Sequence, residues 1–310
     1  MPADGDAGAV VAYALPPDGH VHSEWSWDAL AGSMHRTCAR AVELGLPAIA
    51  FTEHADFTPW TIDVTDQAAQ EFPPQWARWY ADGIFTPPPL DLQGYRTCLE
   101  ACRDAFPRLR ILSGVELSEP HWHPDRTRQF LAEGGFDRIL ASLHGRPDGS
   151  VIRPIDGDTY QRHTPTQFMH WYLAEVDRMA EEFDGFEVLA HIDYPVRFWP
   201  GGPESFDPEP LEAPFRAALS ALAHAGRLLE INTRTPLTPT LLRWWHQEGG
   251  AAVTFGSDAH DPDSLAHNFR EAAAMAEAQG FRPGRRPHDP WPRSSPPTTA
   301  PGTRGVGLLK

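Results

Sequence analysis

Short apolar runs alternate along the chain with longer stretches in which apolar residues recur every three or four positions. The runs predict seven buried β-strands: Gly19–His22, Ala48–His54, Arg110–Glu116, Phe136–His144, Phe186–Asp193, Arg227–Asn232 and Ala251–His260. The longer stretches predict helices, most clearly over Leu30–Leu44, Pro165–Phe183 and Pro214–Ala225. Strands that alternate with helices are typical of a parallel sheet, and about seven such units favour a barrel over an open sheet.

Two segments interrupt this alternation. Asp56–Leu92 is long and rich in Trp and Pro, and Pro195–Pro214 contains Phe198, Trp199 and several prolines. Both follow predicted strand ends, where barrel enzymes carry their substrate loops. The aromatic residues therefore either cover an active site or only anchor long loops to the body, and the sequence leaves both interpretations open.

The pattern predicts one folded domain with two unstructured ends. Residues 1–16 are expected to be a flexible N-terminus, and residues 17–281 to form the barrel domain. Residues 282–310 are rich in Pro, Ser, Thr and Arg and are expected to be a disordered tail.

Composition excludes several classes of function. The formal net charge of −16 argues against nucleic acid or an anionic membrane as the main partner, and no apolar run reaches the roughly 20 residues needed to span a bilayer. The three cysteines form no disulfide framework, which indicates a reducing cytoplasm. Lys310 is the only lysine, so catalysis through a lysine Schiff base or a P-loop lysine is excluded.

Metal-binding residue types collect at the predicted strand ends. His20 and His22 alternate along the first strand and therefore point to the same side. Five further strands end in such residues: His54, Glu116, His144, His191 with Asp193, and Asp258 with His260. In a parallel barrel these ends open on one face. Imidazole and carboxylate donors without cysteine suit Zn, Mn or Fe, and the donors are too many for one ion.

The motifs that carry these residues resemble the polymerase and histidinol phosphatase (PHP) superfamily, most closely its histidinol-phosphatase branch. They are Asp18-Gly19-His20-Val21-His22, Phe51-Thr52-Glu53-His54, Gly114-Val115-Glu116, Ser142-Leu143-His144, Ala190-His191-Ile192-Asp193 and Gly256-Ser257-Asp258-Ala259-His260. The resemblance implies a distorted (β/α)7 TIM-like barrel with the metal site at the carboxyl ends of the strands.

The resemblance also implies a centre of two or three divalent ions (Zn, Mn or Fe). One ion would take His20, His22, Glu116 and Asp258. A second would share Glu116 and add His144 and His191, and a third would take Asp28, His54 and His260. Glu116, Asp258 and His260 are expected to be catalytic as well, and a metal-held hydroxide would attack phosphorus.

The implied activity is that of a phosphomonoesterase on a small phosphorylated substrate, L-histidinol phosphate first, in histidine biosynthesis. With no lysine before the tail, Arg197 and Arg234 are the expected phosphate-binding cations because both follow strand ends. The long 56–92 segment and Gly145-Arg146 after His144 depart from the family pattern. A hydrolase of another phosphoester (a nucleotide, a sugar phosphate or a phosphodiester) therefore stays open, as does a non-catalytic metal-binding module.

Overall fold

In the computed structural model, which describes residues 15–62, 73–235 and 238–294, an eight-stranded sheet forms the centre of the protein. Seven strands are parallel and adjacent in chain order: β1 (Asp18–Val21), β2 (Ala48–Asp56), β3 (Arg110–Ser118), β4 (Arg138–Ser142), β5 (Val188–Leu189), β6 (Leu228–Asn232) and β7 (Ala252–Gly256). An eighth strand, β8 (Trp291–Pro292), pairs antiparallel with β7.

The sheet curls until its first and seventh strands meet. The Asp258 amide donates to the His20 carbonyl at 2.9 Å, and the His22 amide donates to the Ala259 carbonyl at 2.9 Å. Val21 and Ala259 form a parallel bridge between the same two segments. The predicted distorted (β/α)7 barrel is confirmed, and the carboxyl ends of its parallel strands share one mouth.

A helix follows each parallel strand in the chain. The helices of nine or more described residues are α1 (Met34–Leu44), α2 (Leu92–Ala105), α3 (Pro124–Gly134), α4 (Pro165–Glu182), α5 (Glu212–His224), α6 (Pro239–Gln247) and α7 (Phe269–Ala278). Helix α1 begins after Ser33, whose side chain accepts a hydrogen bond from the Arg36 amide, and ends at Gly45 with φ of 71°. The helices bury apolar faces in the main core, as Phe168, Tyr172 and Val176 of α4 do.

The longest connections surround the mouth. After β2 comes a small sheet of Trp60–Thr61, Tyr80–Ala81 and Ile84–Phe85 with a 3-10 helix over Pro74–Trp79. After β4 comes a hairpin of Gly145–Asp148 and Val151–Pro154, then a short helix, Thr159–Arg162. After β5 come 3-10 turns at Tyr194–Phe198, Pro203–Ser205 and Glu209–Leu211. Shorter 3-10 turns, Pro120–Trp122 and Pro262–Ser264, follow β3 and β7.

Two strands end four residues earlier than their apolar patterns predict. The predicted strand to Asp193 stops at Leu189, and His191 has φ of 22°. The predicted strand to His260 stops at Gly256, and Asp258 has φ of 53°. Positive φ is costly for residues other than glycine and tends to be found at functional sites. The backbone turns at both predicted ligands, which an apolar pattern does not reveal.

The boundary predicted at residue 281 lies too early. Residues 282–294 belong to the folded body, because Trp291 pairs with Val253 and is buried against Phe255. The Arg293 amide also donates to the Ala251 carbonyl at 2.9 Å. At the other end, Leu15 is buried in the main core although it falls within the predicted flexible N-terminus. The remainder of both predicted ends, residues 1–14 and 295–310, lies outside the described residues.

No helix in the described part of the chain has both the length and the apolar character required to cross a membrane.

Candidate metal centre

The nine predicted ligands converge at the mouth of the barrel. Seven of them line a cavity of about 600 Å³: Asp28, His54, Glu116, His144, His191, Asp258 and His260. His20 and His22 lie beneath it, fully buried, with imidazole nitrogens 3.1 Å and 3.4 Å from Glu116 Oε2. The strand ends deliver these side chains to one place, as the sequence predicts.

Glu116 stands at the centre of the cluster, and its two oxygens face different imidazoles. Oε1 lies 2.9 Å from His191 Nε2 and 3.4 Å from His144 Nε2. Oε2 lies 3.1 Å from His20 Nε2 and 3.4 Å from His54 Nδ1. A carboxylate divided in this way can bridge two cations, which is the role predicted for it.

The two aspartates hold the other side of the cluster. Asp28 Oδ2 lies 3.2 Å from His54 Nε2 and 3.0 Å from His260 Nε2. Asp258 Oδ1 lies 3.4 Å from His22 Nε2 and 3.6 Å from His260 Nδ1. Asp28, His54 and His260, the set predicted for one ion, are therefore mutual neighbours.

Divalent ions fit this donor set. Four groups of three side chains have candidate ligand atoms within 4.8 Å of one another: His22, His54 and His260; His20, His22 and Asp258; His20, Glu116 and His191; and His54, Asp56 and His144. Buried Asp28 Oδ1 and His54 Nδ1 have no hydrogen-bond partner among the described residues, and buried polar atoms of this kind call for a ligand. The assignment of particular residues to particular ions stays a prediction.

The protonation states of the carboxylates suit cation binding. Burial alone would raise the pKa of Glu116, but the imidazoles of His20, His144 and His54 hold that pKa well below its usual range. Burial also opposes ionisation of Asp258, and Arg197 and His20 hold its pKa well below the usual range. The two carboxylates are therefore ionised at neutral pH. Burial keeps the pKa of His144 well below its ordinary value, so its imidazole is neutral, as a metal ligand requires.

Glu230 orients two of the predicted ligands, a role that the sequence did not reveal. Its Oε1 lies 2.7 Å from His20 Nδ1, and its Oε2 accepts the His191 amide at 2.9 Å. The side chain is buried at the interior of β6. A carboxylate on the far nitrogen of a ligand histidine fixes the tautomer and the ring orientation.

Hydroxyl groups orient two further histidines. Ser118 Oγ lies 2.7 Å from His144 Nδ1, and Ser26 Oγ lies 3.0 Å from His22 Nδ1. Ser26 in turn donates to Glu53 Oε2 at 2.6 Å. Glu53 therefore supports His22 through Ser26, and its position beside His54 in the sequence also indicates a supporting role. The alternation of Ser118 with Glu116 along β3 was the available sequence signal for Ser118.

The two predicted phosphate-binding arginines also line the cavity. Arg197 Nη2 donates to Asp258 Oδ2 at 2.5 Å, and its guanidinium lies over the Tyr194 ring. Its buried Nε has no partner among the described residues. Arg234 is half exposed, with Nη1 3.7 Å from Asp258 Oδ1. Arg197 is thus anchored to a predicted ligand, whereas Arg234 faces the opening more freely.

The sequence contains a second His-x-His pair, His121 with His123, which lies apart from this cluster. His121 Nε2 lies 2.8 Å from Glu175 Oε1 on α4, and His123 Nε2 lies 2.9 Å from Thr58 Oγ1. Neither imidazole lines the cavity. Asp193, the remaining acidic residue at a predicted strand end, is buried, and burial raises its pKa to about 7 despite the nearby Arg197.

Comparison with known proteins places these features in a family context. The model of the PHP domain family matches residues 18–234. The histidinol-phosphatase of Lactococcus lactis is 26% identical over 275 residues, covering 85% of this chain and 91% of that protein. A probable histidinol-phosphatase of Deinococcus radiodurans is 25% identical over 277 residues, covering 86% and 94%.

Solved structures show the same fold. The crystal structure of the Lactococcus lactis histidinol phosphate phosphatase, complexed with zinc, L-histidinol and phosphate, superimposes with a TM-score of 0.71 at 24% identity. The match covers 86% of this chain and 94% of that one. A putative histidinol phosphatase of Listeria monocytogenes gives a TM-score of 0.65 at 20% identity, covering 82% and 99%.

Proposed function

Because this chain belongs to the PHP domain family, we propose that it is the phosphatase that hydrolyses L-histidinol phosphate to histidinol and phosphate. The family resemblance found in the sequence is confirmed, and the chain is a metal-dependent hydrolase of phosphoric monoesters. The identities of 24–26% to histidinol phosphatases support this substrate as a proposal. The observation that carries the proposal is the convergence of nine ligand-type side chains and two arginines on one cavity.

We assign nine residues to the ions: His20, His22, Asp28, His54, Glu116, His144, His191, Asp258 and His260. Two or three Zn, Mn or Fe ions would, when bound, lower the pKa of coordinated water and offset charge on the phosphoryl oxygens. Glu116, Asp258 and His260 keep their proposed catalytic roles because all three face the cavity in which phosphorus would lie.

The arginines bind and orient the phosphoryl group in this proposal. Arg234 presents its guanidinium at the opening, and the buried Nε of Arg197 has no hydrogen-bond partner in the described part of the chain. A planar guanidinium can contact two phosphoryl oxygens together, which fixes the orientation of the ester for attack in line with its leaving oxygen. The contact between Arg197 and Asp258 also couples phosphate binding to the position of a proposed ligand.

A hydrolase of another phosphomonoester is the second candidate. The long 56–92 segment keeps this candidate open, because it departs from the family pattern and part of it lines the cavity. The test is a panel of phosphorylated metabolites and phosphodiesters assayed with manganese or zinc supplied. We expect L-histidinol phosphate to give the highest kcat/KM of the panel. A higher kcat/KM on another ester would identify that ester as the better candidate substrate. A cytoplasmic location stays a prediction from the cysteine content.

Substitution of the two arginines should separate their roles. Arg234→Ala is expected to lower kcat/KM about 10-fold with metal content unchanged, because one charged hydrogen-bond donor to phosphate is lost. Arg197→Ala is expected to lower kcat/KM by roughly 10–100-fold and to loosen metal binding, because Asp258 loses its anchor. Steady-state kinetics and elemental analysis of the purified variants measure both effects.

Arg243→Ala is the matched control for Arg234→Ala. The Arg243 side chain is 46% exposed and that of Arg234 is 50% exposed, but Arg243 pairs with Glu209 away from the cavity. The control should keep wild-type kinetics. Unchanged kcat/KM in Arg234→Ala would remove this residue from the phosphate site.

A further inference from the structure

Three tryptophans, Trp27, Trp60 and Trp76, line the cavity beside the metal centre, and we call them the tryptophan wall. Trp27 directly precedes the proposed ligand Asp28, whereas Trp60 and Trp76 belong to the segment after β2. The Trp27 ring centroid lies 5.9 Å from that of His54. A substrate with its phosphoryl group at the ions would therefore have its alcohol portion close to these rings.

The rings of the wall are held in fixed orientations. Trp27 Nε1 donates to Asp56 Oδ2 at 2.7 Å, and Trp76 Nε1 donates to the Trp27 carbonyl at 3.1 Å. The Trp27 and Trp76 rings meet edge to face with centroids 5.1 Å apart. Buried Phe85 packs behind the group, nearly parallel to Trp60 at 6.1 Å. Because the rings are already ordered, binding of a ligand does not have to include the entropic cost of ordering them.

The charges in the cavity leave little else to recognise an alcohol portion. Its described acidic lining residues are Asp28, Glu116 and Asp258, and each of them already contacts imidazoles of the metal centre. The basic side chains Arg197 and Arg234 suit the phosphoryl group. Apart from the histidines of the metal centre, the other described lining residues are the three tryptophans, Pro154, Tyr194, Phe198, Pro203 and Thr235, so mainly aromatic and apolar side chains remain as the surface for the rest of the ester. Trp27 and Trp76 are only partly buried, and both line the cavity.

We propose that the tryptophan wall selects phosphomonoesters whose alcohol carries an aromatic or cationic planar ring, such as an imidazole or a phenyl group. This inference rests on the phosphatase activity proposed above and adds the feature by which the leaving group is recognised. A planar ring stacks on indole faces, and a cationic imidazolium is attracted in addition by the negative electrostatic potential above an indole face. An unbranched alkyl chain gains neither interaction.

The test compares three alkyl esters with similar leaving groups on the metal-loaded enzyme: L-histidinol phosphate, 2-phenylethyl phosphate and propyl phosphate. The wild type should favour both ring-bearing esters over propyl phosphate by about 10-fold or more in kcat/KM, the scale of one stacking or cation–π contact. Trp76→Leu should lower kcat/KM for the ring-bearing esters about 10-fold, mainly through KM, and should change the value for propyl phosphate less than about 2-fold. Trp76→Phe keeps an aromatic face and should recover most of the loss.

Trp199→Leu is the matched control, because Trp199 packs against Tyr160 and Phe206 and lies outside the cavity lining. It should leave the substrate preference unchanged. Equal losses on all three esters in Trp76→Leu would show that the tryptophan wall does not select the substrate, and so would a wild type that hydrolyses propyl phosphate as well as 2-phenylethyl phosphate. Neither result would affect the proposed phosphatase activity. A wild type inactive on every phosphomonoester would instead overturn the proposed function, and this inference with it.

Discussion

Glu116→Gln is expected to lose more than about 100-fold in kcat/KM while the protein remains folded, because changes in residues that merely support ligands already cost about 10–100-fold. The two oxygens of Glu116 face separate sets of imidazoles, those of His20, His22 and His54 at Oε2 and those of His144 and His191 at Oε1. Glutamine has nearly the same shape but no negative charge, and its amide nitrogen cannot act as a ligand. Both ion sites that share this side chain should therefore weaken together.

Steady-state kinetics and thermal unfolding of the variant measure this effect. Glu175→Gln is the matched control, since Glu175 is a buried carboxylate that accepts hydrogen bonds from an imidazole and an indole on the outside of the barrel. The control should retain wild-type kcat/KM. That result would show that the loss in Glu116→Gln comes from removal of a bridging ligand and not from removal of a buried charge in general. Activity of Glu116→Gln within 10-fold of the wild type would show that Glu116 is not the bridging ligand.

Glu230→Gln is expected to give the second large effect, a loss of about 100-fold in kcat/KM, because each poorly oriented ligand costs about 10–100-fold and Glu230 holds two. One carboxylate oxygen faces His20 Nδ1 and the other accepts the His191 amide. A glutamine side chain can offer its single oxygen to only one of these partners and turns an NH2 group toward the other. The His20 ring or the turn at His191 must then move.

A positioning role for Glu230 predicts more than lower activity. The variant should require a higher concentration of added metal for half-maximal activity, and saturating metal should recover part of the lost rate. A competition titration with a chelator measures the change in metal affinity directly. Unchanged metal affinity together with reduced activity would contradict the positioning role and would point to a different function for the Glu230 carboxylate.

The clustering of the proposed ligands could be predicted from the sequence because two simple rules combine. Alternation places His20 and His22 on one side of β1, and parallel strands bring their carboxyl ends to one mouth. His54 and Glu116 then become neighbours through the register that pairs them across β2 and β3. To apply these rules, one needs to know only where the apolar runs lie in the sequence and which residue ends each run.

The supporting residues could not be predicted in the same way. Glu230 lies within the apolar strand Leu-Leu-Glu-Ile-Asn, and the pattern alone does not say whether its side chain points to the metal centre or away from it. The bond between Trp27 and Asp56 joins the loop after β1 to the end of β2, which depends on how the loop folds. Residues 282–294 resemble a disordered tail in composition, but Trp291 adds a strand to β7 by packing against Phe255.

We propose that the mouth of the barrel holds a cluster of divalent ions, and the metal content of the purified protein tests this proposal most directly. Protein purified without chelator would be analysed for Zn, Mn and Fe before and after metal supplementation, beside the Glu116→Gln variant. We predict two or three equivalents per wild-type chain and a clear reduction in the variant, because the two oxygens of Glu116 face separate sets of imidazoles. A wild-type stoichiometry of zero that persists after supplementation would contradict the account.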